Sequence, residues 1–162
     1  KLYPDVPIEL INDSGVGLLK PDDPQFFEAG LKEWNADAYF PASCTTCIGA
    51  DGNITDYHKW GLGQDTNFRL GMMNFKQDTR SAAPFGREPE AFEQALVAEM
   101  ADLESAYPER VHSFLPDGID HVILLDGLDT KNALDVTAGD VSAIAWVTAM
   151  LDGSAEWVSA SD

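Results

Sequence analysis

Apolar and polar positions along this chain fall into alternating short runs and helical stripes. V-P-I-E-L-I-N-D, Val6 to Asp13, is mostly apolar and runs into S-G-V-G. It predicts a short buried strand that ends in a glycine-containing turn. P-Q-F-F-E-A-G-L-K-E-W then sets Phe27, Leu31 and Trp34 at helical spacing. From about residue 35 to 67 no period holds, and a long irregular loop rich in Gly, Asp and Thr is expected. Loops of that length inside a domain are usually functional or ordered by cross-links. F-R-L-G-M-M-N-F, Phe68 to Phe75, predicts a second strand. Glu88 to Tyr107 is the clearest helix: Phe92, Leu96, Met100 and Leu103 make one stripe, and Pro108 ends it. Arg110 to Leu115 alternates and predicts a third strand. The last helix is expected from about Asp140 to Leu151, with Ile144, Val147 and Leu151 toward the core and Trp146 close by. Thr137 and Asp140 resemble a capping box for it, and Gly153 suits its stop.

This order of elements predicts the α/β class, a mainly parallel sheet with helices covering its faces. Three main strands are few for such a sheet, whose faces and edges must be covered. A minor strand at Ala133 to Val136 would not change that. The chain therefore reads as half of a larger sheet. It begins at Lys1 rather than Met, which leaves room for upstream residues removed by processing or carried on another chain.

With 162 residues and 44% apolar composition the chain can bury the core of one domain. No run approaches the roughly 20 apolar residues of a spanning helix, and no signal peptide is visible. A soluble protein is expected. Charge narrows the partners further. The chain carries 28 Asp and Glu against 10 Lys and Arg, a net charge of −18. Such a field repels nucleic-acid backbones, anionic membranes and acidic polysaccharides. The acids are scattered, as on a solvated surface suited to salty surroundings, with no acidic tail.

The two cysteines lie in S-C-T-T-C-I-G, Cys44 and Cys47. A redox C-x-x-C needs a following helix to stabilise its thiolate, and loop residues follow here. A zinc site needs further ligands, and only His58 is near. A small structural disulfide pinning the loop is the plainest of the three readings. It implies an oxidising compartment outside the cytoplasm.

Candidate chemistry sits where two strands end. N-F-K-Q-D-T places Asp78 just after the second strand, and P-D-G-I-D-H places His121 just after the third. Ligands gather at the carboxyl ends of strands in parallel sheets. Acid and then histidine is also the chain order of α/β-hydrolases, in which the nucleophile comes first. Either residue has an ordinary alternative: Asp78 as a turn former, His121 as a core or surface residue. No G-x-S-x-G elbow is present. Ser14, in D-S-G after the first strand, lacks the preceding glycine of an elbow and reads first as a loop residue beside the site. G-V-G (Gly15 to Gly17) is too short for a dinucleotide fingerprint. D-G-N-I-T-D, Asp51 to Asp56, has calcium-like oxygen spacing, but Leu62 stands where the bidentate Glu belongs, so it reads as a turn. D-G-L-D-T, Asp126 to Thr130, also reads as a turn. Trp34, Tyr39, Phe40, Tyr57 and Trp60 surround the long loop, where they could line a cleft or simply pack it.

These segments resemble the carboxyl-terminal half of the pectin acetylesterase family, which also contains animal carboxylesterases that strip lipid from proteins. P-I-E-L-I-N-D-S-G-V-G resembles the family's post-nucleophile strand and its turn. F-F-E-A-G-L-K-E-W-N resembles the following helix, and W-V-T-A-M-L-D-G-S-A-E-W the closing helix and tail. N-F-K-Q-D-T and G-I-D-H-V-I-L-L match the segments that bear the triad acid and histidine. The resemblance implies a doubly wound α/β-hydrolase sheet, with residues 1–162 as the carboxyl-terminal portion of one such domain. It implies a secreted or periplasmic serine esterase that needs no metal or cofactor. Asp78 and His121 would complete its triad, and Ser14, Trp34 and Trp60 would lie near the site. The family's serine sits in a G-x-S-A-G-G elbow upstream of the D-S-G turn, and nothing here matches it. The serine is then expected on a missing upstream segment or a companion chain. The substrate would be an ester, small or polymeric; the strong negative charge argues against polygalacturonate unless salt screens it. The rival expectation is a non-catalytic, acidic, disulfide-pinned binding module that uses the aromatic loop.

Overall fold

The apolar run after Pro7 pairs along its whole length with the next one. Strand β1 (Ile8–Asp13) lies parallel to a strand at Phe68–Met73, with Ile8 opposite Phe68 and Asp13 opposite Met73. The computed structural model describes residues 6–18, 20–23, 25–48, 53–125 and 135–162. After β1 come helices α1 (Phe26–Glu33) and α2 (Asp56–Gln64), then β2 (Phe68–Met73), the one-turn helix α3 (Thr79–Ala82) and the long helix α4 (Pro89–Ala106). Strand β3 (Val111–Leu115) follows, then the short pair β4 (Thr137–Ala138) and β5 (Val141–Ser142), helix α5 (Ala143–Leu151) and strand β6 (Ala160–Ser161). The main sheet has the order β1-β2-β3-β6 and every pairing in it is parallel. The α/β class read from the pattern is the class observed.

Strand alternation divides the core between the two faces of the sheet. Leu70, Met72, Val111 and Leu115 face α4, whose Phe92, Leu96, Met100 and Leu103 are all buried, as their spacing predicts. Leu62 of α2 joins them. Met73 and Phe114 face the other way, toward Trp146 and Met150 of α5. Gly71 points to that second face too. A Cβ there would stand 2.9 Å from the Trp146 ring and 3.0 Å from the Met150 sulfur. The glycine in the middle of β2 is thus the space that the indole fills.

That fit overturns the expected face of the last helix. The buried residues of α5 are Ala143, Trp146 and Met150, whereas Ile144 and Leu151 are exposed. The row is shifted by one residue, a rotation of about 100° on a helix of 3.6 residues per turn. Spacing alone does not tell adjacent rows apart, and the void over Gly71 accepts the largest ring. The cap differs as well: Ser142 accepts from the Ala145 N–H at 3.2 Å, while Thr137 to Asp140 turn the β4-β5 hairpin.

Three further expectations change. The stretch 35–67 is not structureless, because α2 and a single 3-10 turn at Asp37–Tyr39 lie within it. Gly61 and Gly63 weaken the helical signal of α2. Gly61 is also what lets it sit against Phe68, whose ring carbon would be 3.1 Å from an added Cβ. Trp34 is not a core member of the first helical row, being 78% exposed at the carboxyl end of α1. Finally, β6 makes a fourth parallel strand. The Asp162 carboxylate anchors it by accepting from the N–H groups of Asp117 and Gly139 at 2.9 and 2.8 Å. The expected strand at 133–136, the calcium-like loop from Asp51 and the turn at 126–130 fall wholly or partly outside the described residues. Among the described residues no helix is long and apolar enough to cross a membrane.

His58 on α2 meets Asn12 of β1 at 3.4 Å, and burial pushes its imidazole below the usual 6.5. The folded protein therefore binds fewer protons than the unfolded chain in the window from 6.5 down to the lowered value. Stability contributed by the neutral ring is present above that window and is lost as pH falls through it. His58→Gln is expected to flatten the pH dependence of the urea midpoint below 6.5 relative to the parent; parallel curves would show that this histidine does not carry the effect.

Candidate active site

The carboxyl end of β2 and the segment after β3 run side by side beyond the sheet. Asn74 N–H donates to Phe114 O, Lys76 N–H to Pro116 O, Gln77 N–H to Gly118 O and Thr79 N–H to Ile119 O, at 3.0 to 3.2 Å. This backbone zip carries Asp78 and His121 to the same point. His121 Nδ1 lies 2.8 Å from Asp78 Oδ2. The Asp78 side chain is 0% exposed and that of His121 is 32% exposed.

Asp78 also does what a turn acid ordinarily does. It caps α3, its Oδ1 accepting from the Arg80 and Ser81 N–H groups at 2.9 Å each. The Ser81 hydroxyl donates to Oδ2 at 2.7 Å. The two readings of Asp78 are therefore compatible: the cap holds the carboxylate still, and its second oxygen is aimed at the imidazole. A carboxylate offers only acceptor sites to a neighbouring N–H, so the contact places a hydrogen on Nδ1 and leaves the lone pair on Nε2. A partly exposed imidazole in that tautomer can take a proton from a group approaching Nε2.

Ser14 lies against the backbone of His121. It is buried, and its hydroxyl hydrogen-bonds to the His121 carbonyl and lies 3.2 Å from Asp13 Oδ1. Its φ is 63°, in the left-handed region that serine adopts at a cost on the order of 1–3 kcal/mol. Neither nearby serine is placed as an attacking group: Ser14 is turned to a backbone carbonyl, and Ser81 to the acid.

Asp13 is a neighbour of the candidate site that the sequence reading missed. Its carboxylate accepts from Ile123 N–H at 3.0 Å on each oxygen and from Leu124 N–H at 2.8 Å. The available signal was an acid as the last residue of a strand, directly before a Ser-Gly turn.

The remaining candidates are the two cysteines and the loop aromatics. Cys44 and Cys47 form the disulfide, with Cα atoms 5.4 Å apart. Tyr57 joins Phe40 edge-to-face and stacks on Trp60, at centroid distances of 5.2 and 6.2 Å. The Trp60 indole N–H is buried and has no hydrogen-bond partner among the described residues. Trp34 lines an open groove of about 390 Å³ with Phe26, Phe27, Leu31 and Ile54. Phe26 and Phe27 pack in turn on Phe85, just beyond α3. Neither tryptophan makes a hydrogen bond or ring contact with Asp78 or His121 among the described residues. Nor, among those residues, do three or more His, Cys, Asp or Glu gather as a metal site would require.

Comparison of the chain with family models, with curated proteins and with solved structures finds no match.

Proposed function

We propose that this chain is the carboxyl-terminal portion of a serine-type carboxylic ester hydrolase with a doubly wound α/β-hydrolase sheet, related to the pectin acetylesterases. The observation that carries the reading is the Asp78–His121 hydrogen bond, formed between the loops that follow two adjacent parallel strands. A second observation supports it. Strand β1 ends the sheet order and pairs only with β2 among the described residues. Val6, Ile8 and Leu10 on that flank are 52%, 45% and 38% exposed. A further parallel strand beside β1 would cover them and satisfy the edge. In an α/β-hydrolase this neighbour leads into the serine turn.

The chemistry then runs as follows. The serine oxygen of the upstream segment or companion chain attacks the ester carbonyl carbon as His121 Nε2 takes the hydroxyl proton. Asp78 holds the ring and stabilises its cation. Backbone N–H groups of that same segment receive the oxyanion. The carbonyl–alkoxy bond breaks, the imidazolium returns its proton to the departing alcohol, and an acyl-enzyme remains. Water attacks the acyl carbon while giving a proton to His121; collapse releases the acid and restores the serine. The disulfide is consistent with action outside the cytoplasm.

A serine-reactive fluorophosphonate applied to the complete protein tests this. Labelling is expected on a segment outside residues 1–162 and on no residue within them. Labelling at Ser14 would move the nucleophile into this chain and overturn the account of a separate segment. No labelling anywhere would favour the acidic binding module, for which the 84% exposed Tyr39 and the exposed Trp34 offer the contact surface.

A further inference from the structure

We infer that Asp13 and Ser14 form a positioning clamp that sets the imidazole of His121 from behind. The inference rests on the proposed hydrolase reading for its effect on turnover, but its geometry stands without it. The loop after β3 has two sets of ties. From residue 116 to 119 it is held by the backbone of the β2–α3 segment. From His121 onward the ties come from the end of β1, and side chains make them. The Ser14 hydroxyl bonds to the His121 carbonyl. The Asp13 carboxylate gathers the N–H groups of Ile123 and Leu124. His121 is thus bracketed: its ring is drawn to Asp78 on one side, and its own backbone and the two residues beyond Val122 are drawn to β1 on the other.

The β1 end is built to hold that position. Asp13 is in register with Met73, and Ser14 N–H donates to the Met73 carbonyl at 2.8 Å, so the turn is fastened to β2. A Cβ at Gly15 would stand 2.2 Å from Asn12 Oδ1, so a side chain there would have to displace the Asn12 amide, which donates to the Gly15 carbonyl at 3.3 Å. Ser14 keeps a left-handed backbone that glycine would adopt without strain, and its hydroxyl is the feature that glycine would lack. Ile123 is itself buried in the core beneath α5, so the clamp joins the histidine loop to rigid packing.

Asp13 and Ser14 touch neither the imidazole nor any reacting atom in this scheme. They act through the loop that carries His121, and the test separates positioning from folding. Ser14→Gly relieves the backbone while removing the hydroxyl, so thermal stability is expected to hold or rise. Turnover of a short-chain chromogenic ester by the complete protein is expected to fall about tenfold or more in kcat with KM little changed. Asp13→Asn, which keeps one acceptor oxygen but turns an amide donor toward backbone N–H groups, is expected to lose more. The Nδ1 proton of His121, read by low-field proton NMR, should exchange faster with water in both variants. That signal needs no substrate. Parent protein with a protected Nδ1 proton but no esterase activity would sink the hydrolase reading and leave the clamp standing. Unchanged proton exchange in folded Ser14→Gly and Asp13→Asn would overturn the clamp, whatever the activity.

Discussion

His121→Ala in the complete protein is expected to abolish measurable hydrolysis of a short-chain chromogenic ester, with kcat reduced on the order of 10⁶-fold, as when the base of a serine triad is removed. The size follows from the proposed role. Without the imidazole the hydroxyl of the proposed serine would have to lose its proton to water, and a departing alkoxide would have to find one unaided. The fold has little reason to fail. His121 is about one third exposed, and its loop is held by backbone bonds and by Asp13 rather than by the ring. Activity loss with an unchanged melting temperature is the expected pair of results. A variant that retains near-parental turnover would remove His121 from the mechanism.

Asp78→Asn is the second large effect, about 10⁴-fold in kcat. An asparagine oxygen can still accept from the Arg80 and Ser81 N–H groups, because Asn caps helices about as well as Asp. The amide nitrogen must then replace Oδ2. It is a donor facing Nδ1 and the Ser81 hydroxyl, where the native oxygen accepts from both. The imidazole is driven to the other tautomer, with its hydrogen on Nε2, and could not accept the proton of the proposed serine. Asp78→Ala would remove the cap as well and lower stability by about 1 kcal/mol, so Asn is the cleaner probe. Parental kcat in Asp78→Asn would reduce Asp78 to a helix cap.

Of the candidate site, the acid and the histidine were legible because each directly follows a recognisable strand, and parallel strands deliver their carboxyl ends to one edge. Asp13 was not legible. Its partners are backbone N–H groups 110 and 111 residues away, and a bond to the main chain leaves no signature in the identity of the partner residue. The exposure of Trp34 was not legible for a related reason. Trp34 has helical spacing from Phe27 and Leu31, but the stripe on α1 has no buried residue at all. An aromatic residue in a sequence does not state whether anything lies above it.

By itself the sequence determined the α/β class, the course of β2, β3 and α4, and the presence of an acid and a histidine just past two strand ends. Those features are local: periodicity, capping and turn residues act within a few positions of one another. Tertiary structure alone decided that α5 turns Trp146 rather than Ile144 inward, that Gly61 of α2 serves close packing, and that residues 160 and 161 become a strand. It also decided that Asp78 meets the ring and Asp13 the loop behind it. Each of these outcomes depends on the shape and polarity of a surface supplied by distant residues, and such complementarity exists only once the chain has folded.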